Sequence, residues 1–437
     1  MDALRIGIVG LGTVGSGVAH ILRDHAERNA LRSGKQLVIH RVAVRDVNKP
    51  RGVDLPQSML TEDPLSITTD PDVDVVVELM GGVDLASKVV KSALSNGKHV
   101  VTANKALICQ YGPELFQLAR ENDRTICFEA AVAGGCPIIA AIGQAMAGNQ
   151  ITSLQAIING TSNFILTQMF HQNVSYDDAV REAQEIGYAE ADPAMDVEGT
   201  DAAQKLGILT QLAFGTSVTP DQFPVQGINT LALDDLKYAD ELGYAIKLLA
   251  TAKLVDGRLE LHTQPTLIRH QRPIAQVDGP YNMIELTGDA VGKAWFSAMG
   301  AGQMATASAV VADIIDLAIG RAQLTFQKLD LWGSHSPVSL QPAEEIERRY
   351  YFRFTVEDRP HVIADIADVL GRNEISLASI IQKEAPETDE LATGAYPIVP
   401  LMFMTHRTRE GLIRKAAEEL KELSCVTTPW VCLPVAD

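Results

Sequence analysis

The period of the apolar positions changes along the chain, and the changes divide it. Residues 4–9 form a short, mainly apolar run; past a glycine turn come Val14, Val18, Ile21 and Leu22 at helical spacing. Further strand-length apolar runs lie at 38–44, 73–79, 99–103 and 125–129, with helix-period segments at 85–94 and 114–119 among them. This alternation predicts a parallel, doubly wound α/β sheet. Beyond Glu129 the pattern changes: EAAVAGGCP is rich in small residues, and ITSLQAIINGTSNFI reads as a strand, a turn and a helix start. Ser175 and Asp178 make an acidic variant of the capping box before Ala179, Ala183 and Ile186, and Gly187 ends that helix. From Thr200 the run TDAAQKLGILTQLAFG is helical, with Leu206, Leu209, Thr210 and Ala213 on one face.

Towards the C-terminus, 317–329 is apolar and helical, and 333–348 has Gly, Ser and Pro without a period, which predicts a linker. Strand patterns at 350–356, 376–382, 398–404 and 426–433 and helix patterns at 361–370 and 410–423 follow. Their order, β-α-β-β-α-β, predicts a small ferredoxin-like domain over 349–437.

Composition narrows the class. A chain of 437 residues exceeds one ordinary core and implies roughly two to four domains. Its 46% hydrophobic and 21% charged residues are those of a globular protein. Apolar runs stop short of the ~18 residues a membrane span needs, and MDALRIGIVG lacks the basic start of a signal peptide, so no membrane partner and a cytoplasmic location are expected. A net charge of −18 opposes phosphate backbones and argues against nucleic acid. The five cysteines are scattered and odd in number, without a C-x-x-C pair, so neither a disulfide framework nor a zinc site is indicated. Cys136, in GGCP, alone has a loop-like setting.

Two stretches carry chemistry. Gly10-x-Gly12-x-x-Gly15 stands between a strand and a helix, the context a dinucleotide fold requires. Gly10 permits the tight turn, Gly12 lets backbone approach a pyrophosphate, Gly15 lets helix and strand pack, and Thr13 and Val14 open the helix whose N–H groups face the phosphates. The N-terminal sheet is therefore expected to be Rossmann-type. After the second strand Arg45 precedes Asp46, with Lys49 close behind, which favours the 2′-phosphate of NADP over the bare ribose of NAD. TANKAL follows the fourth strand, and Lys105 is thereby expected near the nicotinamide. The second stretch, AEADPAMDVEGTDAAQK, brings Glu190, Asp192, Asp196, Glu198 and Asp201 before a single Lys205. Taken alone, Asp201 and Lys205 make an exposed i,i+4 pair worth ~0.3–0.5 kcal/mol, or Asp201 caps the helix. The density of carboxylates also suits an ammonium-bearing substrate, with a protonated Lys205 as proton donor to an alkoxide.

Residues 183–205 resemble the signature of the homoserine dehydrogenases: A-x3-G, an aromatic residue, D-P, then D-x-x-G-x-D-x3-K. TANKAL, EAAVAGG and NGTSNFI extend the resemblance over about residues 1–330. It implies NAD(P)-dependent interconversion of L-homoserine and L-aspartate 4-semialdehyde, on the branch to threonine, isoleucine and methionine. It implies Lys205 as proton donor and acceptor, Lys105 as a second essential lysine, Asp201 and Glu190 at the polar ends of the substrate, and Asp196 in support. Gly160 and Thr161, beside Asn159, would border the substrate, and Gly187 and Gly302 would approach the cofactor. It also implies a monovalent cation, sodium in the family, at Glu129, Val132, Gly134 and Cys136, held by backbone carbonyls except at Glu129. The implied domains are 1–130 for the dinucleotide (with a return segment at about 303–332), 131–302 as an α+β catalytic and dimerisation domain, and 349–437. EDRPHVIADIADVLGRNEISLASIIQK resembles an ACT domain, an amino-acid-sensing module that also pairs subunits. Its usual D-x-P-G turn is DRPH here, with His361 in place of the glycine, which puts a threonine effector in question. A homodimer or homotetramer is expected. The competing readings are another Rossmann oxidoreductase, which would need a His–carboxylate pair, and a non-catalytic sensor, which would need an output element; the sequence offers neither.

Overall fold

The computed structural model describes residues 2–333, 337–383 and 396–436. Its contacts gather into two compact units that do not follow chain order: Met1–Gly160 with Asp201–Gln222 and Pro280–Ser339, and Thr161–Thr200 with Phe223–Gly279 and Leu340–Asp437.

In the first unit β1 (Ala3–Val9), β2 (Gln36–Ala43), β3 (Leu60–Thr61), β4 (Val75–Glu78), β5 (His99–Thr102) and β6 (Ile126–Cys127) form a sheet of order β3-β2-β1-β4-β5-β6. Every pairing is parallel. The order reverses between β1 and β4, and a crevice for ligands opens there beyond the carboxyl ends of the strands. Strand β4 reads VVVE and is buried at all four positions, because helices cover both faces of such a sheet. Ile6, Ile8, Val18 and Val77 share one core with Val310, Ile314 and Leu317 of the helix Gln303–Ile319, so the return segment packs on the dinucleotide fold. Contact is close at Gly17, where an added Cβ would lie 2.9 Å from the Ala307 side chain. This unit also holds the antiparallel strands Ile151–Ile157, Tyr281–Gly288 and Gly292–Met299, and the helix Thr200–Phe214.

Two local expectations are corrected here. The strand expected at 125–129 stops at Cys127, because Glu129–Ala131 winds into a 3₁₀ turn. The helix expected at 114–119 runs Lys105–Glu121 and contains Pro113, whose interruption of the apolar pattern hid the first half.

In the second unit the longest pairing is a hairpin of Tyr244–Val255 with Arg258–Arg269, turning at Asp256 and Gly257, both at positive φ (49° and 76°). The C-terminal strands run Val426–Ala436, Glu347–Glu357, Ile398–Thr405, Leu377–Gln382 across an antiparallel sheet, the 4-1-3-2 order of a ferredoxin-like fold. Val362–Arg372 and Glu410–Lys421 supply its helices. The expected linker ends early: strand starts at Glu347, and Arg348 is buried against Glu410, a contact that orders the chain there. Residues 334–336 of that linker lie outside the described residues. Among the described residues no single helix is long and apolar enough to cross a membrane.

Candidate active site

The glycine turn divides its labour as the motif requires. An added Cβ at Gly10 (φ +104°) would lie 2.6 Å from the Leu79 carbonyl oxygen, and one at Gly15 would lie 2.1 Å from the Gly10 oxygen. One at Gly12 meets nothing within 4 Å. Packing thus demands the outer two, and Gly12 leaves backbone open beside the helix Thr13–Asp24, whose first turn holds no acidic residue. Thr13 is exposed and Val14 packs on the sheet core. A cavity of about 520 Å³ is lined here by Gly12, Ser16, Arg45, Lys49, Met80 and Gly81, among others. Asp46 also lines it, but its carboxylate accepts the Asn48 N–H (2.8 Å) and so caps its own loop. Arg45 and Lys49 are exposed.

In the same unit the helix Thr200–Phe214 sets Asp201 and Lys205 one turn apart, and here the exposed-pair reading fails. Asp201 is 5% exposed. Its Oδ2 accepts from Lys205 Nζ (2.8 Å) and from Asn159 Nδ2 (2.8 Å), and Lys105 Nζ lies 3.1 Å from its Oδ1. Burial alone would push the Asp201 carboxyl up, but the ammonium groups of Lys205 and Lys105, with the bonds from Lys205 and Asn159, hold it below the usual carboxylate range. Lys205 also donates to the Ile158 carbonyl (2.8 Å). An ammonium has three N–H donors; among the described residues Lys205 uses two and Lys105 one. The remaining donors, on cations clamped by a buried carboxylate, can meet an oxygen on which negative charge develops. Lys105 is the first residue of the helix Lys105–Glu121, whose N-cap Asn104 accepts the Leu107 N–H (3.1 Å).

The remaining expected site residues divide between the two units. Thr161, Gly187, Glu190 and Asp196 belong to the second unit. Gly187 (φ +79°) closes the helix Tyr176–Glu185, and Thr161 Oγ1 donates to the Tyr188 carbonyl (2.9 Å). Glu190, Asp192 and Glu198 are exposed, and Asp196 is half-buried, its carbonyl accepting from Ser162 Oγ (2.9 Å). In the first unit Gly160 makes the turn from strand to helix, where an added Cβ would lie 2.7 Å from the Pro280 oxygen. Gly302 (φ +115°) opens the helix Gln303–Ile319. Around the expected cation segment, both Glu129 carboxylate oxygens accept backbone N–H groups, from Ile139 and Ala140 at 2.8 Å each. Burial pushes that carboxyl up. The Cys136 carbonyl accepts the Ile138 N–H (2.8 Å), and burial pushes its thiol up to about 12, which removes any thiolate chemistry. The Val132 and Gly134 carbonyls accept no hydrogen bond among the described residues.

Comparison with known proteins decides the family. Residues 10–129 match "Homoserine dehydrogenase, NAD binding domain", 137–315 match "Homoserine dehydrogenase" and 350–425 match "ACT domain". A homoserine dehydrogenase of Pseudomonas aeruginosa is 43% identical across 100% of this chain and 99% of its own. The chain belongs to the homoserine dehydrogenase family. A homoserine dehydrogenase of Neisseria gonorrhoeae is 41% identical over 98% of both chains. The solved homoserine dehydrogenase of Thiobacillus denitrificans superposes with a TM-score of 0.90 at 39% identity, covering 100% of this chain and 99% of that one. A hyperthermophilic archaeal homoserine dehydrogenase, solved in complex with NADPH, has a TM-score of 0.60 at 26% identity over 74% of this chain and 98% of its own. As a homoserine dehydrogenase, the chain is an oxidoreductase with a nicotinamide-nucleotide domain and an ACT domain.

Two features of the site escaped sequence reading. Asn159, expected to border the substrate, also donates its Nδ2 to Asp201, a bond between residues far apart in sequence. Glu78, buried at the end of β4, was passed over inside an apolar run, although a carboxylate ending a parallel strand is itself a signal.

Proposed function

We propose that the chain reduces L-aspartate 4-semialdehyde reversibly to L-homoserine, with NADPH preferred as reductant and Lys205 as the proton donor. The observation that carries this reading is the buried Asp201 gripping two lysines that keep free donors. The nicotinamide nucleotide, when bound, supplies hydride to the aldehyde carbon. Lys205 meets the carbonyl oxygen with its spare N–H and gives it a proton as alkoxide forms; in the reverse direction it receives that proton. Asp201 fixes the Lys205 ammonium, and Lys105 adds a second positive charge to the oxygen and borders substrate and nicotinamide. Glu190 takes the substrate ammonium, with Asp196, Gly160 and Thr161 around it, and Gly187 and Gly302 approach the cofactor. Preference for NADP is supported by exposed Arg45 and Lys49, by the commitment of Asp46 to its own loop, and by the relative solved with NADPH.

The open carbonyls of Val132 and Gly134 beside the buried Glu129 fit a monovalent cation such as sodium, a role in which the Cys136 side chain has no part. The domain division by sequence is proposed to describe the functional parts: 1–130 with 303–332 for cofactor, 131–302 for substrate and dimerisation, 349–437 for regulation. The strand Leu377–Gln382 lies at an edge of its sheet with exposed residues, open to pairing with a second copy, which supports a homodimer or homotetramer. His361 sits at φ +74°, the left-handed backbone a glycine would adopt, which preserves the turn an amino-acid effector such as threonine requires. The enzyme is proposed to act in the cytoplasm, supplying homoserine for threonine, isoleucine and methionine.

The test follows NADPH absorbance with aspartate semialdehyde for wild type and Lys205→Ala, then repeats it with NADH and with threonine. Oxidation by wild type and its loss in the variant are expected. Absence of wild-type turnover overturns the reaction, and full activity in the variant overturns the role of Lys205.

A further inference from the structure

We infer that Glu78 is a positioning residue for the reaction: its buried carboxylate clamps, from one point, both the loop that lines the cofactor cavity and the helix start that carries Lys105. The inference rests on the role proposed above for Lys105.

Glu78 is 0% exposed at the end of a strand whose other residues are all valine, a place where an apolar side chain packs without the cost of burying a carboxyl. Its oxygens are divided between two elements. Oε1 accepts the Met80 N–H (2.8 Å), and Met80 and Gly81 line the cofactor cavity. Oε2 accepts from Thr102 Oγ1 (2.6 Å), itself 0% exposed. The Thr102 hydroxyl then accepts the Asn104 N–H (3.0 Å). Asn104 closes the circuit: its Nδ2 donates to the Gly82 carbonyl (2.8 Å), back on the cofactor loop, and its Oδ1 caps the helix at Leu107 (3.1 Å). Lys105 begins that helix and reaches Asp201 Oδ1 at 3.1 Å. The carboxylate can only accept and the Asn104 N–H can only donate, so the Thr102 hydroxyl gives its one proton to Glu78 and a lone pair to Asn104. The clamp therefore ties the Lys105 ammonium to the bed of the cofactor, and a displacement of either is felt by the other. Burial pushes the Glu78 carboxyl up, opposed by the bonds from Thr102 and Met80, in keeping with a group whose every contact is internal.

The experiment compares Thr102→Val, Thr102→Ser, Glu78→Gln and Lys105→Ala for kcat, KM for NADPH and Tm. Thr102→Val keeps shape and removes the hydroxyl, so kcat is expected to fall about 10- to 100-fold with KM for NADPH unchanged, and Thr102→Ser to restore kcat to within about twofold. Glu78→Gln keeps the Met80 N–H on its amide oxygen but presents an N–H instead of an acceptor to Thr102, whose hydroxyl proton loses its partner; kcat is expected to fall about 10-fold with KM for NADPH little changed. A Thr102→Val enzyme with kcat within about twofold of wild type, whatever its Tm, overturns the clamp, and so does a failure of Thr102→Ser to restore kcat. Should Thr102→Val not fold, Glu78→Gln decides: an unchanged kcat overturns the clamp. Full activity in Lys105→Ala overturns the site reading and the clamp together, whereas loss there with a wild-type Thr102→Val overturns the clamp alone.

Discussion

Asp201 in the first unit and Asp235 in the second are both buried carboxylates that hold cations, and they hold them differently. Asp235, 0% exposed, takes a forked grip from Arg353, with Nη2 at 3.2 Å from Oδ2 and Nε on Oδ1, and its Oδ2 also accepts the Ala232 N–H (2.8 Å). A planar guanidinium matches a carboxylate bidentately and stays protonated at any working pH, so this pair fastens the strand Glu347–Glu357 to the helix Leu233–Glu241. Asp201 holds two lysines, each with donors to spare and side chains 34% and 13% exposed. Ammonium groups release and regain protons where guanidinium does not. Burial of an ion pair is thus no mark of a site by itself; here it is two exchangeable cations sharing one buried carboxylate.

The sharpest way to break this contrast is Lys205→Arg, which keeps charge and pairing but removes proton exchange. Activity is expected to drop about 100- to 10,000-fold in a kcat measurement, with Tm nearly unchanged. Asp235→Ala reverses the outcome: denaturant unfolding should show a loss of about 3–5 kcal/mol because Arg353 is left buried and unpaired, and kcat should hold at temperatures where the protein is folded. Arg353→Lys is milder, retaining charge and losing the fork, for about 1.5–3 kcal/mol in the same measurement.

Acid should separate the sites too. The folded Asp201 carboxyl titrates below its ordinary 3.8, so the folded state binds fewer protons than the unfolded one between those values. Its stabilising contribution is complete above 3.8 and is lost as pH falls through the lowered value. Melting temperatures taken from pH 5 down to pH 3 should therefore fall less steeply for Asp201→Asn than for wild type. The smallest effect belongs to the exposed acids that precede the helix Thr200–Phe214: Glu198→Gln should shift stability by less than about 0.5 kcal/mol and leave kcat unchanged.

Legibility in the sequence followed the range of the physics involved. Strands β1, β2, β4 and β5 and the glycine turn were readable because short, mainly apolar runs and Gly10, Gly12 and Gly15 act within a few residues. The hairpin Tyr244–Arg269 was not, even though Asp256-Gly257 is a strong turn signal. Both its strands are buried on both faces over most of their length, and Lys247, Thr251, Glu260 and His262 occupy buried positions, so no alternation survives to be read. Lys247 tolerates burial because it donates to the Val277 carbonyl (2.6 Å) and lies 3.2 Å from Asp278, neither of which is a neighbour in sequence.

The i,i+4 spacing of Asp201 and Lys205, the capped start of the helix behind Ser175, the fingerprint turn and the β-α-β-β-α-β order of the C-terminal domain belong to the sequence itself. Each depends on contacts inside one turn, or on the order in which periods follow one another. Tertiary structure alone decided that Lys105 and Asn159, distant along the chain, converge on Asp201, and that Glu78 holds the loop and helix that bring Lys105 there. The reason is dielectric as much as geometric. A helix pair in water is a weak salt bridge, and only the packing of remote segments around it removes the water that would keep it so.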